Sequence, residues 1–269
     1  MRNKQCTIWI LGIVLLVGCE EPFIWERPTQ NTDLIVVEAV LTNENKNHLI
    51  KLSKPYATQN QTPEPASGAT VIIKSSSGNI TTTEMPSGSG IYITDSISFV
   101  TNIDYELSIQ YNAKTYTAKD AQPAGEALTP LLYNEVSDGM YTLNFTDTSS
   151  QIPNYIKYYI SWQHLAECPT DTICAAKLIN YDLRNIDIHK EFKAAQERID
   201  FPAGTVVIRR KYSVSNNYKE YLRGILSETV WRGGVFDVFP DNAPTNLEGG
   251  AVGFFAISTV VMDTTVITE

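Results

Sequence analysis

Apolar and polar positions along this 269-residue chain repeat with a period of two far more often than of 3.6, the mark of strands with one buried face. An apolar run opens abruptly at Leu34-Ile35-Val36-Val37-Glu38-Ala39-Val40-Leu41. Alternating or β-branched stretches follow at 49–52, 69–74, 80–84, 91–94, 105–111 and 115–118. Turn chemistry parts them: Ser77-Gly78-Asn79, Pro86-Ser87-Gly88-Ser89-Gly90 and Asn112-Ala113. About seven short strands at this spacing predict an immunoglobulin-like or fibronectin-III-like β-sandwich over residues 33–122. The aperiodic, proline-containing stretch 58–68 reads as a loop within it.

Residues 120–130 (DAQPAGEALTP) lack periodicity and mark the expected boundary with a second, β-rich domain over 123–269. Strands are expected there at 140–145, 155–163, 175–181, 205–212, 251–261 and 265–268. In the second of these, Tyr155, Lys157, Tyr159 and Ser161 alternate with Ile156, Tyr158, Ile160 and Trp162. A single amphipathic helix is predicted near 217–231. Tyr218, Tyr221, Leu222, Ile225, Leu226 and Val230 share one face, and Asn217 is positioned to cap it with Glu220 as reciprocal partner.

The first 32 residues have a different grammar. Arg2 and Lys4 precede an apolar run, Thr7–Gly18, which is too short to span a bilayer and has the length of a signal-peptide core. It ends in Leu16-Val17-Gly18-Cys19, a bacterial lipobox, so residues 1–18 are expected to be removed and Cys19 to become the acylated amino terminus. Acyl chains bury at about 0.8 kcal/mol per methylene, so the mature chain is expected to be held at a membrane by its lipid. Residues 19–32 then form the lipidated Cys and a polar tether with two prolines. Glu20 rather than Asp follows the cysteine, which favours the outer membrane, and the acidic pair Glu20-Glu21 resembles export signals of surface-exposed lipoproteins.

Charge and cysteine usage sharpen this picture. The chain carries 21 Lys+Arg against 30 Asp+Glu, a net charge of −9. Loss of Arg2 and Lys4 with the signal peptide leaves 19 against 30, or −11. That surplus of acid excludes a nucleic-acid partner, whose phosphates need Lys and Arg. Cys6 leaves with the signal peptide and Cys19 takes the lipid. Cys168 and Cys174 remain, and an even pair in an exported chain is expected to form a disulfide. A zinc site is the rival, but no second Cys pair or His cluster completes it.

Reaction machinery is hard to find. No H-E-x-x-H, G-x-S-x-G, P-loop or G-x-G-x-x-G pattern occurs, and His48, His164 and His189 are scattered. Gly249, Gly250 and Gly253 lead into an apolar strand rather than a helix, so they read as a turn and close backbone packing, not a phosphate cradle. Asp182, Asp187 and Glu191 cluster in sequence, as do Asp237 and Asp241, and solvated loop acids are the expectation for both groups. Neither a metal nor another cofactor is implied. Trp162, Trp231, Phe236 and Phe239 are the candidate contacts for a glycan, peptide or protein partner, with core packing the competing reading for the two tryptophans.

Several segments taken in order resemble one lipoprotein family. Leu34–Thr42, Ile50-Lys51-Leu52-Ser53, Ser67–Ile73, Gly88-Ser89-Gly90-Ile91-Tyr92 and Tyr105–Ile109 are similar to its successive N-terminal segments. Gly234–Pro240, Thr245-Asn246-Leu247 and the glycine-aromatic run Gly249–Ala256 are similar to its C-terminal ones, with Ala39 departing from a frequent Gly. The family is domain-of-unknown-function family 4249, and the resemblance spans nearly the whole mature chain. It carries no catalytic residues. It implies genomic company with TonB-dependent outer-membrane receptors. The expectation is therefore a non-enzymatic outer-membrane lipoprotein serving as an accessory, substrate-capture subunit of a TonB-dependent uptake complex. A structural or adhesive surface lipoprotein is the alternative, and a glycan-active hydrolase built on the acidic clusters is the third reading.

Overall fold

The computed structural model describes residues 34–56, 61–145, 150–169, 172–183, 198–229 and 243–269. The expected signal peptide, Cys19 and tether lie outside these residues. Among the described residues the fold is mainly β, fifteen strands with one helix.

The first seven strands are β1 (Val36–Thr42), β2 (Leu49–Ser53), β3 (Thr70–Ser75), β4 (Gly78–Glu84), β5 (Ile91–Thr94), β6 (Asp104–Tyr111) and β7 (Lys114–Ala121). They pair in the order β1-β2-β5-β4 and β3-β6-β7, all antiparallel. This is the immunoglobulin constant-type order, with the first, second, fifth and fourth strands in one layer and the third, sixth and seventh in the other. β4 joins the layers because Gly78–Thr81 pairs with β3 and Thr82–Glu84 with β5. Alternate residues face inward. Val37, Ala39, Leu41, Ile50, Leu52 and Tyr92 of one layer meet Val71, Ile73, Leu107, Ile109, Tyr116 and Ala118 of the other in one buried cluster. The sandwich expected from the alternation is present.

The remaining elements are β8 (Tyr133–Ser137), β9 (Met140–Leu143), β10 (Asn154–Ser161), β11 (Ala175–Asp182), β12 (Asp200–Pro202), β13 (Val206–Ser213), α1 (Asn216–Thr229), β14 (Leu247–Glu248) and β15 (Val252–Val266). β8, β9 and β12 form a small sheet. Phe201, Tyr141 and Leu143 from it cover Ile156, Tyr158, Ile160 and Val207 on one face of the large sheet.

β15 organises the molecule. Residues 252–258 run parallel to β1, and residues 259–266 run antiparallel to β13 on the other edge, which continues to β10 and β11. Residues 33–122 and 123–269, expected as separate domains, are thus stitched through one twelve-stranded sheet, and Thr32–Glu269 is one compact unit. The two faces of β15 serve different cores: Phe255 and Ile257 fill the sandwich, while Phe254, Ala256 and Val260 lie under α1. Burial on both faces suits a strand in parallel pairing.

Where β15 lacks a strand neighbour, side chains satisfy its backbone. On the β7 side, Asn246 Oδ1 accepts from Phe255 N–H at 3.1 Å and its Nδ2 donates to Phe255 O at 2.8 Å and Lys119 O at 3.0 Å. Asp120 Oδ2 accepts from Ile257 N–H at 2.9 Å. Beyond the end of β1, Asn43 performs the same exchange with the amide and carbonyl of Val260.

Two expectations change in detail and one is met. Residues 251–261 and 265–268, read as two strands, are one, because Asp263 pairs with the buried Arg209 across the ladder and the strand continues through it. The helix is capped by Ser215, whose Oγ accepts from Tyr218 N–H at 3.2 Å, rather than by Asn217, and Glu220 pairs instead with Lys219 and Arg223. Gly253 meets the expectation of close packing: at φ +98 it lies opposite Val37, and a Cβ there would overlap the Val37 carbonyl.

Candidate functional site

The alternation read at 155–163 places Ile156, Tyr158 and Ile160 in the core and Tyr155, Lys157 and Tyr159 on the opposite face of β10. Pairing with β11, β13 and β15 extends that face into cross-strand rows. The first is Tyr181-Tyr155-Tyr212-Val260, the second Ile179-Lys157-Arg210-Met262, and the third Lys177-Tyr159-Ile208-Thr264. The first row is covered: Tyr155, Tyr212 and Val260 pack with Tyr218 and Leu226 of α1. Beyond it the face is open, and Tyr159, Ile179, Ile208, Met262 and Val266 are between 36% and 63% exposed.

The rings and cations on this face are ordered. Tyr155 and Tyr212 stack with centroids 4.7 Å apart and planes at 8°. Lys157 Nζ lies 5.0 Å from the Tyr212 centroid and 5.6 Å from that of Tyr155. Arg210 stands 5.7 Å from the Tyr212 ring, and Lys177 Nζ 5.6 Å from Tyr159. Such contacts are favourable because the ring quadrupole presents negative charge to the cation. Arg210 also pairs with Glu44, a carboxylate shared with Lys46 at 2.7 Å. Burial holds the Lys157 amine below the usual lysine range, and the neighbouring cations Lys177, Arg210 and Lys46 push the same way. Burial raises the Tyr212 hydroxyl above the usual tyrosine value, with the Arg210 cation acting against it.

A concavity of about 680 Å³ lies where the ends of β3, β6 and β7 meet the start of α1. Glu106 there sits between Lys74 at 3.1 Å and Lys119 at 3.5 Å, and the Lys74 hydrogen bond is the main cause lowering its carboxyl from the usual range. Asp120 also lines it, with burial pushing its carboxyl up, while its Oδ2 is engaged by the Ile257 amide. Charges in this cleft already answer one another, which leaves less for a ligand than the cations of the sheet face.

Of the residues singled out from sequence, those that the structure describes are not on this face. Trp162 falls on the other side of the sheet, half-buried against the cluster that holds Ile160 and Phe201. Trp231, Phe236 and Phe239, with Asp187, Glu191, His189, Asp237 and Asp241, lie outside the described residues. Cys168 and Cys174 are bonded, with Cα atoms 5.9 Å apart, and close the loop that leads into β11. His48 is buried, its Nε2–H directed at the carbonyls of Ile97 at 2.9 Å and Glu44 at 3.2 Å. Among the described residues no group of three or more His, Cys, Asp or Glu is placed to hold a metal ion. The residues missed were Lys177, Arg210 and Met262. Each sits in a separate strand, and no local pattern links them to Lys157.

The architecture is therefore a constant-type β-sandwich whose first strand pairs with a long C-terminal strand that continues the same sheet into β13, β10 and β11. A family model, described as a domain of unknown function (DUF4249), matches residues 20–264. The chain belongs to that family. Among curated proteins no relative matches. Among solved structures, a two-domain fibronectin type III segment from chicken tenascin is 13% identical, covering 66% of this chain and 88% of that one, with a TM-score of 0.19. At that score the likeness carries no argument; strand order and the shared core define the sandwich.

Proposed function

We propose that this protein is a non-enzymatic lipoprotein held at the outer membrane by a lipid on Cys19, where it serves as an accessory, substrate-capturing subunit of a TonB-dependent uptake complex. The observation that carries the reading is the ordered signal Arg2/Lys4, apolar core, Leu16-Val17-Gly18-Cys19, and then Glu20-Glu21 in place of an Asp. The thirteen residues from Glu20 to Thr32 reach up to about 45 Å when extended, enough to stand the folded body clear of the lipid surface. The receptor association draws on the family resemblance and the genomic company it implies. An open sheet face presenting the Tyr159 ring, aliphatic side chains and cations supports capture of a ligand or partner rather than chemistry upon it.

The test is isolation of the tagged full chain from membranes in mild detergent, with radiolabelled palmitate supplied during growth. The wild type takes up label and co-purifies with a receptor subunit, and Cys19→Ala loses both label and membrane retention. Unlabelled wild type would refute the anchor, and a labelled protein without a receptor would refute the accessory role. The open face would serve an adhesive protein equally well. Deletion that impairs growth on particular nutrients favours uptake, and deletion that impairs attachment alone favours adhesion.

A further inference from the structure

We propose that the open face of the β11-β10-β13-β15 sheet binds an anionic polysaccharide. Lys177, Lys157 and Arg210 lie on three neighbouring strands, Lys157 directly opposite Arg210 and Lys177 its diagonal neighbour, at steps of roughly 5–8 Å. That interval is on the scale of one sugar ring in a chain. Tyr159, Ile179, Ile208 and Met262 fill the ground between the cations. A uronate or sulfated sugar presents C–H groups suited to such rings and aliphatic chains, and anionic groups suited to the ammonium and guanidinium heads.

Charge complementarity selects the sign of the occupant. The chain as a whole is strongly acidic, at −9, yet the charged neighbours acting on Lys157 are Lys177, Arg210 and Lys46. Glu44, at the rim, is already shared by Arg210 and Lys46. Among the described residues Lys157 and Lys177 make ring contacts and no ion pair. Among the described residues the exposed rows of this face are uncovered, which suits an extended polymer rather than a small free anion. It also lies away from the point where the chain enters the sheet. β1 starts beside Val252, whereas the exposed rows sit at Met262–Val266, roughly 30–45 Å along β15.

The inference gives the capture reading its ligand class and rests on that reading for its biological purpose. Its measurement involves no receptor, so failure here and failure of receptor co-purification are separate results. The full lipoprotein in mild detergent is run through native gels containing polygalacturonate, chondroitin sulfate, dextran or polyglutamate, and is floated with vesicles containing phosphatidylglycerol. Retardation by at least one of the two anionic polysaccharides and none by dextran is expected. The double variant K157Q/K177Q weakens it about tenfold, K157R/K177R restores it, and K51Q/K74Q leaves it unchanged. Tyr159→Ala, which keeps every charge, weakens it several-fold. Absence of retardation in both polysaccharides overturns the proposal, as does equal retardation of K157Q/K177Q. Polyglutamate binding that exceeds polysaccharide binding and ignores Tyr159→Ala overturns it in favour of an acidic protein. Vesicle flotation that depends on Lys157 and Lys177, without polysaccharide retardation, overturns it in favour of an anionic lipid surface.

Discussion

Gly253 and Gly250 offer a matched pair on which the central joint of the molecule can be tested. Both have positive φ, +98 and +87, but their surroundings differ. A Cβ at Gly250 meets nothing within 4 Å, whereas one at Gly253 would overlap the Val37 carbonyl oxygen and lie 3.0 Å from the Val37 nitrogen and carbonyl carbon. Gly250→Ala therefore costs backbone strain alone, about 1–3 kcal/mol. Gly253→Ala adds separation of β1 from β15 where Val252 N–H donates to Ile35 O at 2.9 Å. Loss of two ladder bonds contributes about 2 kcal/mol. Partial opening of Val37 and Phe255, both fully buried, contributes about 1–2 kcal/mol more. The expected total of about 4–7 kcal/mol is a large share of the 5–15 kcal/mol typical of a folded protein. Urea unfolding followed by far-ultraviolet circular dichroism reads the difference as a midpoint shift. Gly253→Ala within about 1 kcal/mol of Gly250→Ala would show that β1 and β15 are not in tight register, and would refute the reasoning.

Other substitutions probe the same joint and its flanks. Asn246→Ala removes three hydrogen bonds between β7, β14 and β15 and is expected to lower stability by about 2–3 kcal/mol in the same assay, with Asn246→Asp only partly restoring it. Asp263→Ala strands the buried Arg209 guanidinium and should cost about 2–4 kcal/mol, while R209M/D263M, which removes both charges, costs clearly less; equal losses would deny that desolvation matters there. Burial raises the folded-state pKa of Asp120 above its ordinary 3.8. The folded chain then holds a proton that the unfolded chain releases, so Asp120's contribution is full below the ordinary value and is lost as pH rises through the raised one. The stability of Asp120→Asn relative to wild type should accordingly climb with pH across that window, and a flat difference in urea midpoints would count against it. C168S/C174S opens a short loop and should cost about 2 kcal/mol by loop entropy, with faster amide exchange at the Ser161–Ala175 end of β10 and β11.

Period-two alternation placed β1, β3, β6, β10 and β13 to within a residue or two, because each buries one face and its composition records that fact. The helix was legible for the same reason at a period of 3.6. Its cap was not, since Ser215 three residues before Tyr218 and Asn217 three before Glu220 are equally good signals until the backbone chooses. β12 and β14, of three and two residues, are too short to show a period. Asp263 and Thr264 made β15 look like two strands, and only the buried Arg209 opposite Asp263 explains why it is one. The expectation of a lipobox at Leu16–Cys19 rests on local sequence alone and needs no fold.

Partnership is what tertiary structure decided. Nothing local in Val36–Thr42 says that it will lie parallel to Val252–Ser258, more than two hundred residues away, or that Asn43, Asn246 and Asp120 will supply the missing bonds of that strand. The sequence set which side of β10 Tyr155, Lys157 and Tyr159 occupy, since alternate residues must point to opposite faces. That Lys177, Arg210 and Met262 stand beside them depends on cross-strand register. A strand's own residues determine its two faces, and only its neighbours determine what those faces become.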